Sequence, residues 1–482
     1  MNNLRQKSLS GFSWSFLRLF TVQMTGFIVQ LILARVLLPE VFGLIAMLQL
    51  FISLGQTLMD SGMTSSLIRT KDADQSDFST VFYLNLLISI IVYALIFTFS
   101  KAIGDFYHQP ALELIVKVYG LSVIIQGLIA VQLAKITKEM NFKLQMKLEI
   151  PSVLISCSVG VWMAYNGYGV WSLVWMYLLK SILFTVQVWF FAKWTPSLVF
   201  DVSKLKKHFN FGYKLTLSSI INTVYDNIYT IIIGRYFSIL QLGFYDRANT
   251  LRLVPIQTLS TALGNVTYPL FSSIQDDDER LRKTYKKVMQ QVIFVVAPLM
   301  LLAALIAEPL FRLILTDKWL PSVPYFQILC AASILYPLHA YNLNILNVKG
   351  RSDLFLKLEI VKKALITISV FIVIPFGILG LIYMQLVLNV LMFFINTFYS
   401  GMLIKYNTLN QIKDILPAIS SAIFALLVMI AVNVYILKGF NLLDINQIAI
   451  NSFLYLVIYL ALASIFKFPA LGEIKQIIFK RL

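Results

Sequence analysis

Three arginines, Arg235, Arg247 and Arg252, stand in the stretch "GRYFSILQLGFYDRANTLRL", residues 234 to 253, beside one of the long apolar runs of the chain. At 100° per residue, Asp246, Asn249, Thr250, Gln257, Ser260, Thr261 and Gly264 share an arc of roughly 120°, and Arg247 and Arg252 flank it. Ala248, Leu251, Leu259 and Ala262 fill the other side. A guanidinium grips a phosphate or carboxylate through parallel charge-assisted bonds, so the chemistry on offer is the holding of an anion. Charge inside a membrane persists where water or a partner receives it, and a polar arc continued along a helix is the mark of a wet cavity. A second reading stays open, in which Asp246 and Arg247 mark the interface and Arg252 snorkels toward it.

A second group is "INTVYDNIYT", where Asp226 stands among Asn222, Thr223 and Asn227. These supply the oxygens that a cation or proton would use; a structural ion pair of Asp226 with Lys214 or an arginine is the competing reading. Arg18, two turns into the first apolar run, fits either a cavity or a snorkelling role. Asp60 in "QTLMDSGMTSS" reads as a cap or packing group. The run Asp276-Asp277-Asp278 suits a metal-nucleotide site in principle, but before "ERLRKTYKK" it reads as a helix start with acids at the positive end of the dipole. His108, His208 and His339 are far apart in sequence, and the chain lacks HExxH, a nucleophile elbow and a glycine-rich phosphate loop. Cys157 and Cys330 each sit in an apolar run and read as small core residues, not as a disulfide or thiolate site.

The elements that must position these groups follow from composition. Of 482 residues, 59% are hydrophobic and 13% charged, with a mean hydropathy of +0.78; soluble domains carry about 25% charged residues. This predicts an all-α integral membrane protein. The net charge of +17 does not indicate nucleic acid, because Lys and Arg come in short clusters between apolar runs instead of along one face. The basic N-terminal lead runs into an apolar stretch too long for a signal-peptide core, so it is expected to remain as the first span.

Dividing the chain at charge clusters and turns gives fourteen expected spans of about 20 residues. They lie at 12–36, 41–63, 79–100, 112–132, 150–165, 169–192, 209–234, 243–270, 288–307, 322–346, 357–375, 378–400, 415–437 and 446–466. Lys and Arg concentrate in alternate loops, which places both termini in the cytoplasm by the positive-inside rule. The remaining loops are short, so no soluble domain is expected on either side.

"LARVLLPEVFGL" from Leu33 lies over "IGRYFSILQLGF" from Ile233 with an offset of 200 residues, matching Arg35 to Arg235 and Gly43 to Gly243. "GFSW" from Gly11 is similarly matched by "GYKL" from Gly212. The expected plan is therefore an N-lobe of six spans at 1–200, a C-lobe of six at 201–405, and two further helices with a tail at 406–482. Repeats with an even number of spans are parallel, and such repeats place a substrate site between them in transporters that work by alternating access.

"LGFYDRANTLRLVPIQTLSTALGNV", the following "YPLFSSIQDDDERLRKTYKK" and "LARVLLPEVFGLIAMLQLFISLGQTLMDSGMTSSLIR" near the start resemble the polysaccharide-transporter branch of the multidrug/oligosaccharidyl-lipid/polysaccharide exporter superfamily, in particular Wzx-type flippases. The resemblance covers residues 1 to 400. It implies two six-helix lobes around a central cavity and export of an undecaprenyl-pyrophosphate-linked oligosaccharide across the bacterial cytoplasmic (inner) membrane, without a cofactor. It also implies anion-binding arginines on the first and eighth helices, here Arg18, Arg247 and Arg252. A coupling site for H+ or Na+ on the seventh would fall on Asp226 with Asn222 and Asn227. Gly26, 200 residues before Asp226, has no matching acid. A polysaccharide polymerase and chain-length proteins are the implied partners. The rivals are a multidrug antiporter of the same superfamily, which would be expected to line its cavity with acids, a membrane polymerase or ligase, which would be expected to carry a large external loop, and an assembly scaffold.

Overall fold

The computed structural model describes the backbone of residues 2–440 and 442–473, and the side chains of 14–257, 260, 267–437, 439–440 and 442–473. No β-strand forms among the described residues. The chain makes two compact units, Met1–Gly243 and Phe244–Leu482.

The first unit holds α1 (Asn2–Val36), α2 (Pro39–Asp60), α3 (Met63–Arg69), α4 (Gln75–Phe106), α5 (Ala111–Gly127), α6 (Ala130–Lys138), α7 (Phe142–Tyr165), α8 (Val170–Phe191), α9 (Val202–Asp226) and α10 (Ile228–Tyr236), and the first residues of α11 (Ile239–Ser273). Short polar residues start the helices that leave the basic loops. Asp74 Oδ1 accepts the Asp77 N–H at 2.9 Å while Asp77 Oδ2 accepts the Asp74 N–H at 3.0 Å, a reciprocal cap on α4. Asp201 caps α9 and Asn141 caps α7. Within the unit α4 packs on α5, α7 on α8, and α1 on α7. The apolar residues left outside, such as Phe16, Leu17 and Phe20 on α1, suit lipid, which is as apolar as they are.

His208, near the start of α9, is fully buried and bridges two other helices: Nε2 lies 2.9 Å from Asp77 Oδ1 and Nδ1 2.8 Å from Ser66 Oγ. The residue types are those of a hydrolytic triad, but the imidazole has no exposure, so its role is to fasten α9 to α3 and α4. Outside the apolar segments, Lys204 reinforces the same join by reaching Asp74 at 2.6 Å and Asp77 at 3.3 Å. Its ammonium holds the Asp74 carboxyl below the usual carboxylate range.

The second unit continues α11 and adds α12 (Asp278–Leu305), α13 (Ala307–Leu315), α14 (Val323–Ala332), α15 (Tyr336–Val348), α16 (Ser352–Val373), α17 (Gly377–Leu403), α18 (Thr408–Tyr435) and α19 (Asp444–Ile465). Here α12 packs on α18 and α14, and α17 lies against α14, α15 and α16. Asp277 accepts the Arg280 N–H at 2.9 Å and Asp278 meets Lys349 at 2.6 Å, so two acids of the triple-aspartate run begin α12 and pin the turn between α15 and α16.

Among the described residues, 10 helical segments are long and apolar enough to cross a membrane, and up to 11 if Ala111–Gly127 and Ala130–Lys138, bent by 42°, form one span. One of them, Ser352–Leu403, covers two expected spans. The expected span at 209–234 falls on α9 and α10 and is not among them, with Lys204, Lys206, Lys207 and Lys214 on α9 and Asp226 at its end. That at 243–270 falls on α11, where the side chains of residues 258, 259 and 261–266, including Thr261 and Gly264 of the polar arc, lie outside the described set.

The 200-residue repeat has a structural counterpart within the first unit. A methyl group on Gly43 would lie 2.3 Å from the Ile239 carbonyl oxygen, and one on Gly243 would lie 2.0 Å from the Pro39 carbonyl oxygen. Pro39 and Ile239 are themselves 200 residues apart, so the start of α2 and the start of α11 cross through mutually equivalent contacts. Backbone cannot move aside as a side-chain tip can. Gly43→Ala and Gly243→Ala are therefore expected to lower stability by about 1–3 kcal/mol or more each, read as reduced monodisperse yield and melting temperature in detergent. Gly26→Ala, with nothing within 4 Å of the added methyl, is expected to be neutral or slightly stabilising.

Candidate functional site

In the first unit, three helices bring together a cation, a carboxylate and a second cation. Arg18 on α1 donates through Nη1 to Glu149 Oε2 on α7 at 3.0 Å, and Lys180 Nζ on α8 lies 3.6 Å from Glu149 Oε1. The Arg18 and Glu149 side chains are each 15% exposed, and Arg18 Nε is buried without a hydrogen-bond partner. The packing of α7 against both α1 and α8 sets this geometry. The expected span at 150–165 left Glu149 outside. The Asn141 cap instead starts α7 at Phe142, which carries Glu149 inside the helix two residues before Pro151. With two cations on one carboxylate, the cluster keeps a positive charge.

Asp226 ends α9, and Asn227 interrupts the helix before α10, with φ −106° and ψ 7°. Asn227 Nδ2 donates to the Thr223 carbonyl at 2.8 Å. Asn222 and Asp226 are exposed. The candidate cation ligands thus cluster at a break in a helix, where unwound backbone adds oxygens to those of the side chains. Asp60 accepts from the Thr64 hydroxyl and so links α2 to α3.

In the second unit, Arg247 is buried, with its guanidinium 5.9 Å from the centre of the Trp319 ring and Nη2 3.5 Å from Asp246 Oδ2. One turn on, Arg252 donates through Nη1 to Ser333 Oγ at 2.9 Å and through Nη2 to Asn249 Oδ1 at 2.7 Å, while its Nε is buried without a partner. Ser333 stands in the break between α14 and α15, and its hydroxyl in turn donates to the Leu329 carbonyl at 2.7 Å. Tyr245, buried on the same helix, accepts from Gln385 Nε2 at 3.2 Å. Both acceptors of Arg252 are neutral, so the guanidinium is oriented with its charge intact. That is an anion-binding posture.

The second unit therefore assembles Arg247 and Arg252 on α11, and the first holds Arg18 on α1 with Asp226, Asn222 and Asn227 at the end of α9. Sequence reasoning missed Glu149, Lys180, Ser333 and Trp319 as partners. Glu149 left a signal, an acid in "KLEIPSV" ahead of an apolar run. Ser333 left none, because contact across 81 residues has no local signature.

A family model described as "Polysaccharide biosynthesis protein" matches residues 32–324 of the chain. "Lipopolysaccharide biosynthesis protein WzxC" of Escherichia coli (strain K12) is 27% identical over 362 residues, which cover 75% of this chain and 74% of that protein. "Succinoglycan biosynthesis transport protein ExoT" of Rhizobium meliloti (strain 1021) is 24% identical over 307 residues, 64% of this chain and 62% of that protein. In fold the chain is similar to the lipid II flippase MurJ in an inward closed conformation, with a TM-score of 0.69 and 16% identity over 96% of this chain and 98% of that one.

Because Asn249 and Ser333 share the Arg252 fork, either loss leaves a charged donor unsatisfied at about 1–3 kcal/mol. Asn249→Leu is expected to lower the melting temperature of the purified protein. Adding Arg252→Met should restore most of the loss, since a double-mutant cycle removes the orphaned charge with its acceptor.

Proposed function

Given that this chain belongs to the polysaccharide biosynthesis protein family, we propose that it is a flippase, moving undecaprenyl-pyrophosphate-linked oligosaccharide units across the bacterial cytoplasmic (inner) membrane for assembly of a surface polysaccharide. It is a multi-span membrane transporter. The observation that carries the substrate assignment is Arg252, a guanidinium within a membrane protein held by two neutral acceptors and retaining its full charge. A diphosphate offers the forked acceptors that such a group binds. Arg18 and Arg247 are the other cations assigned to the diphosphate in this reading.

The steps follow from that chemistry. The sugar, being polar, crosses with the diphosphate through a wet path, while the prenyl chain stays in lipid. Asp226 with Asn222 and Asn227 is assigned to a coupling cation, H+ or Na+, which biases one conformational state by binding it more tightly. The division into an N-lobe at 1–200, a C-lobe at 201–405 and two helices at 406–482 belongs to the same reading, as do cytoplasmic termini and contact with a polysaccharide polymerase and chain-length proteins. ExoT, named as a transport protein, supports transport over synthesis. A drug antiporter for cations is disfavoured by the guanidinium pair on α11.

Proteoliposomes loaded with a fluorescent prenyl-diphosphate oligosaccharide test the reading, scoring how fast the glycan becomes accessible to an external glycosidase. The parent is expected to accelerate exposure, and Arg252→Ala to slow it by about 10–100-fold, the loss of one or two charge-assisted bonds. Asp226→Asn should abolish the effect of an imposed cation gradient while leaving binding of the lipid intact. No acceleration by the parent with several glycans, together with gradient-driven efflux of a cationic dye, would transfer the protein to the drug-exporter class.

A further inference from the structure

Resting on the flippase reading above, we propose that Glu149 is a displaceable counter-ion whose exchange for the substrate diphosphate couples lipid binding to the uptake of a proton. The basis is the cluster of Arg18, Glu149 and Lys180, which lies wholly within the first unit.

One carboxylate lies between two cations there, 3.0 Å from Arg18 and 3.6 Å from Lys180. Arg18 spends Nη1 on it, and Nε stays buried without a partner. That guanidinium is therefore placed inside the protein but only partly used. A diphosphate seeks the same donors as Glu149, and two anions at one cation pair repel strongly where the dielectric is low. Once the diphosphate holds Arg18 and Lys180, the Glu149 carboxylate faces an anion without its cations. Addition of one proton converts it to the neutral acid. Charge then balances: two cations and a carboxylate carry +1 before binding, and two cations, a doubly negative diphosphate and a neutral acid carry zero after it. Release of the diphosphate returns the cations to Glu149 and expels the proton.

The other charges on the packed elements do not take this role. Lys143, on α7 itself, lies 5.2 Å from the Trp14 ring centre, and Lys147 is exposed. On α6, Lys138 bonds to the Thr70 carbonyl and Lys135 lies 6.0 Å from the Phe78 ring centre. On α1, Arg35 is exposed near the far end of the helix.

The test uses the full-length protein in lipid nanodiscs and a fluorescent prenyl-diphosphoryl-N-acetylglucosamine. Its diphosphate is esterified at both ends and does not titrate between about pH 5 and about pH 8, so a pH dependence of binding over that range reports the protein and not the probe. For the parent, affinity is expected to rise about tenfold from the alkaline to the acidic end. Calorimetry in two buffers of different ionisation enthalpy should show proton uptake on binding. Glu149→Gln is expected to bind at least as tightly as the parent does in acid, at all pH values and without proton uptake. A parent whose affinity is flat and which takes up no proton overturns the proposal without recourse to any variant, as does Glu149→Gln retaining the parent's slope. If that parent still accelerates flipping, the flippase reading stands and only the coupling role of Glu149 falls. A parent that binds no probe at any pH overturns both.

Discussion

A charged side chain inside a bilayer has to be answered by another group or by water, at a cost of about 2.5–3.5 kcal/mol at mid-helix when it is not. The described polar contacts within the helices follow from that constraint. Arg18 and Lys180 converge on Glu149, and Lys117 finds Glu113 one turn away at 2.7 Å. Arg252 is a different solution, because its acceptors are an amide and a hydroxyl. Hydrogen bonds orient it without neutralising it. A protein that only needed a stable helix would gain more from an aliphatic residue there, since replacing buried polar groups by well-packed apolar ones is often neutral or stabilising.

The helices that present these groups are held by close backbone approach as much as by side-chain packing. Lipid provides no hydrophobic force between helices, so contact depends on van der Waals fit, and small residues permit it. Gly43 and Gly243 bring the starts of α2 and α11 together, and Gly62 and Gly212 do the same where α9 passes the turn after α2. Gly62 has φ +64°, a conformation that glycine adopts without strain, so that turn needs glycine for two reasons. His208 then locks the head of α9 by bonding to Ser66 and Asp77. The same helix ends at Asp226, so fastening its head fixes the place from which its broken far end is presented.

What the sequence made legible was whatever has a period or a composition. Apolar runs predicted helices, basic clusters predicted the loops where Asp74, Asn141, Asp201 and Asp277 turn out to cap the next helix, and the 200-residue offset predicted equivalence of Gly43 and Gly243. The polar arc on α11 is flanked in sequence by Arg252. Partners escaped, because a tertiary pair has no periodicity. Span boundaries drawn at charges cut Glu149 from its own helix, which hid the acid nearest Arg18. The break at Asn227 was equally invisible, since "VYDNIYT" continues as a helical pattern and contains neither glycine nor proline. Ser66, His208 and Asp77 are separated by 131 and 142 residues in their two contacts, and nothing local joins them.

On the flippase reading, the internal partners of the arginines have a consequence for turnover. A carrier must let go of its cargo as well as bind it, and a site of bare cations in a low dielectric would hold a diphosphate too long. Each guanidinium here already has something to return to: Glu149 for Arg18, Asn249 and Ser333 for Arg252. Binding therefore exchanges one set of bonds for another instead of adding a full set, and the net affinity is the difference between them. The two cases differ in kind. Exchange at Arg252 swaps neutral acceptors for charged ones and favours the bound state, whereas exchange at Arg18 swaps one anion for another and stays near balance. A cation site of the first kind supplies affinity, and one of the second kind makes that affinity responsive to whatever neutralises the displaced carboxylate.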